Sequence, residues 1–516
     1  MRRRPFHVPN AALVGVLLAA IALVLGGCGS GSPPGTEEAD SDAILLESAA
    51  DPTVTFGVWF KVGSQNDPAG KEGLAALTGA LLAQGSTSEQ SYEEILAALY
   101  PMAARYNARV DKEMTTFTGR THGDNLDAFF ELYTRAYLSP AFDQADFERI
   151  KSDQLNYLEK TLRYASDEEL GKDALMHFVY EGTPYAHPIA GTVEGLGNIT
   201  LEDVKNFYRR YYTRENAVVA LGGGFSPELV ARFEGTLEQL PGGAAPAAPE
   251  ISPAAIEGRT AFLVQKDGAD ASISFGFPVG VSRGERDFYA LWIANSWLGE
   301  HRNTASHLFQ VIREARGMNY GDYSYIEAFP EGGQRQMPPT GVARQHQLFQ
   351  VWIRTLPNDQ AHFAVRAAFR ELERLVNEGM GEEEFELTRA FLSKYHLHFA
   401  ATTRERLGYK IDDAFYGIDG EGHLARFGEM MKSITREEVN AALKKHFDLA
   451  NVKIAMITGD AEGLKEALQT DAPSPMEYAI AKPEEVLEED KEIAVHPLNF
   501  AADGVTIVPV EQIFQK

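Results

Sequence analysis

The chain has 516 residues, 44% of them hydrophobic, so it is long enough to form several packed cores, and its length favours two to four domains. It carries 74 acidic and 48 basic residues, and a formal net charge of −26 argues against nucleic acid as a main partner. A single cysteine excludes a disulfide within the chain and a metal site built from several thiols.

Residues 1–28 have the features of an export signal. Arginines at 2–4 precede an apolar run, 11–25, that is too short to span a membrane. The sequence Leu-Gly-Gly-Cys ending at Cys28 also resembles the bacterial lipoprotein box, in which the cysteine is lipidated and becomes the first mature residue. With Gly29 rather than Asp after it, that resemblance implies a lipid-anchored protein of the cell envelope, at the outer membrane and facing the periplasm. The alternative is an ordinary signal peptide with an incidental cysteine.

Two later segments have the composition of connections and divide the chain. Residues 29–42 are mostly Gly, Ser, Pro and acids, which predicts a flexible tether, and residues 241–258 are dense in Pro, Gly and Ala, which predicts a linker. An N-terminal domain is therefore expected at 43–240 and a C-terminal domain at 259–482. An acidic tail, 483–516, follows, and the sequence assigns no structure to it.

The two domains contain an internal repeat. Thr200 and Thr435 each precede a helical pattern and are each followed three residues later by an acid, the signature of a capping box. An apolar strand follows each helix at the same offset. Alternating patterns such as 271–277 and 347–354 indicate an antiparallel or mixed sheet. We therefore expect an α+β fold of two homologous two-layer α/β sandwich domains, each a sheet with helices on one face.

The run from Gly73 to Gly85 is an apolar helical segment between a predicted strand, 54–62, and a Thr-rich strand, 114–118. This order resembles the N-terminal half of the insulinase/pitrilysin family of zinc peptidases, the inverzincins. In that family the helix carries His-x-x-Glu-His, in which both histidines bind zinc and the glutamate is the general base. The resemblance implies a two-domain clamshell that encloses a chamber.

The residues at the family's zinc positions in this chain are not metal ligands. The resemblance places Ala76 and Ala80 at the histidine positions and Gly79 at the base position. The third ligand position falls on Tyr157, or on Asn156 if the alignment slips by one residue. Zinc needs N, S or O donors, so we expect a degenerate site that binds no metal in this chain.

Histidine pairs elsewhere do not supply a substitute site. His396 and His398 are the closest pair, but the run 384–399 reads as a helix, which separates the two side chains by about 200°. The sequence therefore favours satisfied or exposed histidines over a rebuilt metal site.

Two other motifs of the family are present. The run 313–320 matches Arg-x-x-Arg-Gly-x-x-Tyr, in which the resemblance gives Arg313 and Tyr320 the role of stabilising the transition state. The expected local structure is a helix that ends near Arg313, with Tyr320 starting the next strand. Asn107 and Ala108 resemble the family's substrate-binding strand, so an extended peptide is expected to pair there.

These motifs favour one function and leave an alternative. In the first, the chain is the non-catalytic subunit of a periplasmic heterodimeric zinc peptidase, and a partner subunit with intact His-x-x-Glu-His holds the zinc. In the alternative, it is a catalytically dead peptide-binding or scaffold lipoprotein that acts without a protease. An independent peptidase with a rebuilt metal site is disfavoured.

Overall fold

A computed structural model describes residues 43–244 and 246–516, apart from the side chain of Ala502, and these residues belong to one compact unit. The predicted signal, Cys28 and the tether lie outside the described residues. Among the helices of the described part, none has both the length and the apolar character that a membrane span requires.

The described residues of the N-terminal half form a five-stranded mixed sheet in the order β1-β5-β2-β4-β3. Its strands are β1 (Ile44–Glu47), β2 (Thr53–Phe60), β3 (Arg105–Val110), β4 (Thr115–His122) and β5 (Ala217–Gly223). Its helices are α1 (Leu74–Gln84), α2 (Tyr92–Leu99), α3 (Leu126–Leu138), α4 (Gln144–Asn156), α5 (Asp167–Val179), α6 (Val193–Asn198), α7 (Leu201–Tyr211) and α8 (Pro227–Thr236). A π-helical segment, Tyr157–Ala165, continues α4.

The described residues of the C-terminal half form a six-stranded mixed sheet in the order β11-β6-β10-β7-β9-β8. Its strands are β6 (Arg259–Gln265), β7 (Ala271–Val279), β8 (Asp322–Tyr325), β9 (Gln347–Leu356), β10 (Val452–Thr458) and β11 (Phe500–Pro509). Its helices are α9 (Arg286–Gly299), α10 (Ala361–Glu378), α11 (Glu382–Tyr395), α12 (Thr403–Tyr416), α13 (Gly422–Ser433), α14 (Arg436–His446), α15 (Ala461–Thr470) and α16 (Glu484–Ile493). A short π-helical segment, Phe309–Glu314, precedes β8.

The predicted α+β fold and its internal repeat are confirmed. Helices α7 and α14 have the same length and begin 235 residues apart, at Leu201 and Arg436. Thr200 and Thr435 cap them in complete capping boxes with Asp203 and Glu438, which satisfy backbone N–H groups that a helix start otherwise leaves free. Apart from the added β11, the strand order of one sheet repeats that of the other.

Each half also places a helix on the sheet of the other half. Helix α12 packs against β1, β5 and β2, and helix α5 packs against β10 and β7. Gly57 on β2 permits this approach, since a Cβ there would lie 3.3 Å from Ile411 Cδ1 of α12. The prediction of helices on one face of each sheet is thus incomplete, because the second face of each sheet is covered by a helix from the other half.

The acidic segment 483–516 is part of the fold. Arg316 forms ion pairs with Glu489 and Asp490 of α16, and β11 pairs in parallel with β6. Beyond β11, Phe514 packs into the N-terminal core, where the guanidinium of Arg163 donates a 2.7 Å hydrogen bond to the carbonyl of Ile513. The C-terminal segment therefore connects the two halves.

Candidate functional site

A cavity of about 1030 Å³ lies between the two halves. The N-terminal half contributes α1, α4, β3 and β4 to its wall. The C-terminal half contributes α12 and the connection between β8 and β9, residues 326–346. This connection is held in place by Arg344, whose guanidinium lies 2.5 Å and 3.2 Å from the two carboxylate oxygens of Asp111.

Helix α1 presents a face of small residues to this cavity. Ala76 and Ala80 line the wall, whereas Gly79 is buried behind it against Val110. The helix begins after Gly73, whose φ of 102° lies in the left-handed region that glycine tolerates. The carboxylate of Asp67 accepts hydrogen bonds from the backbone N–H groups of Gly73 and Ala75, both at 2.7 Å, and so caps the helix.

Tyr157 reaches the same cavity from the end of α4. It also lines the cavity, whereas Asn156 is exposed and is not part of the wall. Burial, followed by the nearby carboxylate of Asp173, raises the pKa of the Tyr157 phenol above its usual range. At neutral pH the phenol is protonated, as an ordinary tyrosine is, and a protonated phenol is a poor metal ligand. Ala76, Ala80 and Tyr157 thus line the same cavity, and their assignment to the family's zinc-ligand positions stays a prediction.

The residues on this wall do not fit a zinc ion. Neither alanine nor glycine has a side-chain donor atom for a metal. Within residues 43–244 and 246–516, no group of three or more His, Cys, Asp or Glu side chains is arranged to hold a metal ion. Helix α11 ends at Tyr395, earlier than predicted, and His396 begins a 3₁₀ turn in which its Nδ1 lies 3.0 Å from the carbonyl oxygen of Leu392.

Strand β3 carries the predicted peptide-binding residues. Among the described strands it pairs only with β4, so its other edge lacks a strand partner. Asn107 and Arg109 from one face of β3 line the cavity, and so do Ala108 and Val110 from the other face. The free edge therefore faces the cavity, where an extended peptide can add as a further strand.

The sequence analysis missed a group of arginines on the same cavity. Arg109, Arg120, Arg335 and Arg404 all line it and come from four different elements or connections. Their positions in the chain give no motif, because Arg404 reaches this cavity only through the packing of α12 over the N-terminal sheet. The one available signal was the alternation of Arg105, Asn107 and Arg109 along a predicted strand.

Arg313 and Tyr320 lie outside this cavity wall. The guanidinium of Arg313 lies 5.2 Å from the ring centre of Phe309 and pairs with Glu314. Tyr320 is 78% exposed and precedes β8 by two residues, so the prediction that it starts a strand is wrong. Gly317, with φ of 73°, makes the turn between them. Both side chains are thus available at the surface and do not complete the chain's own cavity.

Hydrogen bonds of the buried Asn319 side chain hold the turn that carries Tyr320. Asn319 donates a 2.7 Å hydrogen bond to Asp322, a 3.2 Å hydrogen bond to the carbonyl of Arg354, and accepts one from the N–H of Gly321. Burial raises the pKa of Asp322 to about 8. Tyr320 therefore projects from a turn whose backbone is held by buried groups on either side.

Two family profiles match the chain. A profile for Insulinase (Peptidase family M16) matches residues 43–193, and a profile for the Peptidase M16 inactive domain matches residues 198–392. The chain belongs to the insulinase family, peptidase family M16. The family resemblance that the motifs indicated is confirmed. Because the zinc ligands are missing, the chain is a non-catalytic type of M16 member.

Curated relatives of this M16 chain include proteins described as peptidases and one described as a non-peptidase. An uncharacterized zinc protease of Streptomyces coelicolor is 25% identical over 339 residues, which is 64% of this chain and 69% of the relative. An uncharacterized zinc protease of Mycobacterium tuberculosis is 26% identical over 403 residues, 76% of this chain and 85% of the relative. The non-peptidase homolog YmxG of Helicobacter pylori is 22% identical over 406 residues, 77% of this chain and 87% of the relative.

Solved structures share the fold. A crystal structure of a peptidase M16 inactive domain from Pseudomonas fluorescens has a TM-score of 0.70 at 22% identity and covers 81% of this chain and 95% of that chain. The crystal structure of a protease from Helicobacter pylori has a TM-score of 0.68 at 19% identity and covers 81% of this chain and 97% of that chain.

Proposed function

We propose that this M16 chain is the non-catalytic, peptide-binding subunit of a heterodimeric zinc peptidase. The observation that carries the proposal is the cavity itself. The peptide-binding strand edge is open along it, while Ala76 and Ala80 occupy the positions of metal ligands. Because catalysis in this family depends on zinc, an M16 chain that binds extended peptides without a metal can take part in that chemistry beside a subunit that supplies the zinc.

Tyr320 and Arg313 are the residues through which this subunit would act on the partner's reaction. A phenol hydroxyl and a guanidinium can donate hydrogen bonds to a peptide carbonyl and to the oxyanion formed from it. Because Tyr320 is exposed and lies outside the chain's own cavity, it is available to a second chain. We assign both residues this role in trans. The zinc and the general base belong to the partner, which carries an intact His-x-x-Glu-His.

The same proposal places the subunit in the bacterial cell envelope. A lipid on Cys28, followed by the tether 29–42, would hold it at the outer membrane on the periplasmic side. The second candidate function, a peptide-binding scaffold without a protease, uses the same cavity but gives Tyr320 and Arg313 no chemical role. A neighbouring gene for an intact M16 relative favours the subunit over the scaffold.

The test is reconstitution with the M16 subunit of the same organism that has an intact His-x-x-Glu-His. Each chain is purified alone, and zinc content, size and peptide cleavage are measured before and after mixing. We expect a heterodimer on gel filtration, with one zinc per pair and cleavage well above that of either chain alone. If the two chains fail to associate, or if mixing adds no activity, the chain is not a subunit of that peptidase.

A further inference from the structure

One face of the β3–β4 pair is unusually rich in arginine. Arg105 lies directly opposite Arg120 across the two strands, and Arg109 lies opposite Thr116. Arg105 and Arg109 are on the same face of β3, because side chains alternate along a strand. Like charges placed opposite each other on a sheet are destabilising, so this arrangement costs stability unless something compensates it.

Two further guanidiniums approach this face from the C-terminal half. Arg404 comes from the first turn of α12, and Arg335 comes from the connection 326–346. Burial, followed by the charges of Arg105 and Arg120, lowers the pKa of Arg404. Burial and the neighbouring Arg335 lower the pKa of Arg109. The arginines therefore lie close enough to repel one another.

Three of these five guanidiniums have no carboxylate within ion-pair distance in the described part of the chain. Within the described residues, the guanidiniums of Arg105, Arg109 and Arg404 make no hydrogen bond or ion pair, although the backbones of Arg105 and Arg109 pair with β4. Arg335 donates to Glu331 at 2.7 Å, but its Nε is buried without a partner. Arg120 donates to the Thr53 hydroxyl at 2.9 Å and lies 3.7 Å from a carboxylate oxygen of Asp51.

Three carboxylates on the cavity wall are engaged elsewhere. Asp111 pairs with Arg344, and Glu169 accepts hydrogen bonds from two backbone N–H groups of the connection 326–346. Glu405 accepts hydrogen bonds from the backbone and hydroxyl of Thr402 at the start of α12. The donors of the arginine face are thus left for a ligand.

We propose that this arginine face, formed by Arg105, Arg109, Arg120, Arg335 and Arg404, binds carboxylate groups of a peptide that pairs with the free edge of β3. The inference rests on the proposed peptide-binding function and adds a substrate class to it. A guanidinium presents parallel N–H donors that match a carboxylate, and this geometry makes arginine the preferred residue for such recognition.

Strand geometry also sets the spacing of the carboxylates. Residues of an added strand that lie opposite Arg105 and Arg109 share one face and are separated, like them, by four positions, or about 13 Å. Acidic side chains four residues apart would therefore match the two arginines, with a position opposite Asn107 between them. A free terminal carboxylate could occupy one arginine but not both.

The experiment measures binding of three fluorescent, strand-forming peptides to the full chain by anisotropy. The first is amidated and has two glutamates four residues apart, the second replaces both with glutamine, and the third is the glutamine peptide with a free carboxyl terminus. They are tested on the wild type, on Arg105→Gln/Arg109→Gln, on Arg404→Gln, and on Arg209→Gln, a control on the exposed surface of α7. Thermal unfolding checks that each variant is folded.

We expect the glutamate peptide to bind at least about tenfold more tightly than the amidated glutamine peptide, as charge-assisted hydrogen bonds allow. The difference should fall to within about twofold in Arg105→Gln/Arg109→Gln, decrease in Arg404→Gln, and persist in Arg209→Gln. If only the peptide with the free carboxyl terminus binds more tightly, the arginine face binds a carboxylate, and that carboxylate is the terminal group.

Equal binding of all three peptides to the wild type overturns the inference, as does the absence of binding. Neither result decides whether the chain is a peptidase subunit, which depends on the reconstitution with a zinc-bearing partner. The two proposals can also fail separately. If the chain prefers the glutamate peptide but mixing it with the zinc-bearing partner adds no cleavage, the subunit function is rejected and carboxylate binding by the arginine face is retained.

Discussion

Gly79 lies directly against Val110: a Cβ atom on Gly79 would stand 2.6 Å from Val110 Cγ2. The position of the family's general base therefore has no room for a side chain unless β3 or its valine moves. The base position is therefore blocked by packing, while the ligand positions Ala76 and Ala80 line the cavity but carry no donor atoms.

Restoring the motif by Ala76→His/Gly79→Glu/Ala80→His should therefore give neither zinc binding nor peptidase activity. The glutamate is expected to lower stability by about 1–3 kcal/mol through overpacking, and Tyr157 leaves the metal without its third ligand. Metal analysis and thermal unfolding measure both effects. Ala76→His/Ala80→His, which leaves Gly79 unchanged, should unfold close to the wild-type temperature. One tightly bound zinc per triple variant would contradict this account.

Tyr320→Phe should leave the proposed heterodimer assembled and its zinc bound, but should slow peptide cleavage by a factor of about 10²–10³. Loss of one hydrogen-bond donor to a developing oxyanion costs about 2.7–4 kcal/mol, and the substitution keeps the aromatic ring. Arg313→Ala should act in the same direction. Turnover of the reconstituted pair is measured beside gel filtration and zinc content. Unchanged turnover in Tyr320→Phe would remove the residue from the mechanism and favour the scaffold.

Arg344→Gln should destabilise the fold by about 3–5 kcal/mol, because it leaves the carboxylate of Asp111 buried without its partner. This ion pair joins the connection 326–346 to the N-terminal half, so the two halves should also become easier to separate. Arg209→Gln, which breaks an exposed pair with Glu202, should cost no more than about 1 kcal/mol. Chemical denaturation of the two variants compares them. Similar losses in both would show that the buried pair does not hold the halves together.

Asp322→Asn should make the stability of the folded protein less sensitive to rising pH. Burial raises the pKa of folded Asp322 to about 8, whereas an unfolded aspartate titrates near 4. The folded state therefore retains a proton that the unfolded state releases, and the wild type loses stability as the pH rises from about 4 to 8. The variant should gain on the order of 2–4 kcal/mol relative to the wild type between pH 5 and 8. The free energy of unfolding of wild type and variant is measured at pH 5 and pH 8. An equal change with pH in both proteins would contradict the raised pKa of Asp322.

Cys28→Ala should release the exported protein from the membrane fraction. Acyl chains contribute roughly 0.8 kcal/mol per buried CH₂, so their loss removes most of the expected anchoring. Fractionation of cells that express wild type or variant, followed by a salt wash of the membranes, measures the change. A variant that still sediments with washed membranes would show that lipid is not the sole attachment.

Local sequence signals gave accurate positions for several elements. Gly73 and Gly85 mark the two ends of α1. Thr200 and Thr435 precede α7 and α14 and cap them, because each side chain accepts a hydrogen bond from the N–H of the third helical residue. These interactions involve residues within one helical turn. Errors occurred where a neighbour in space decided the outcome, as at Tyr320, whose turn is held by Asn319 and its contacts with Asp322 and Arg354.

The sequence by itself determined the family, the repeated α+β halves and the loss of the zinc ligands, because each depends on residue type and short-range spacing. Only the tertiary structure decided that α5 and α12 pack on the sheet of the other half, that α16 and β11 belong to the fold, and that Arg404 and Arg109 line the same cavity. These contacts join residues hundreds of positions apart, and their stability comes from burial and charge, which no local pattern records.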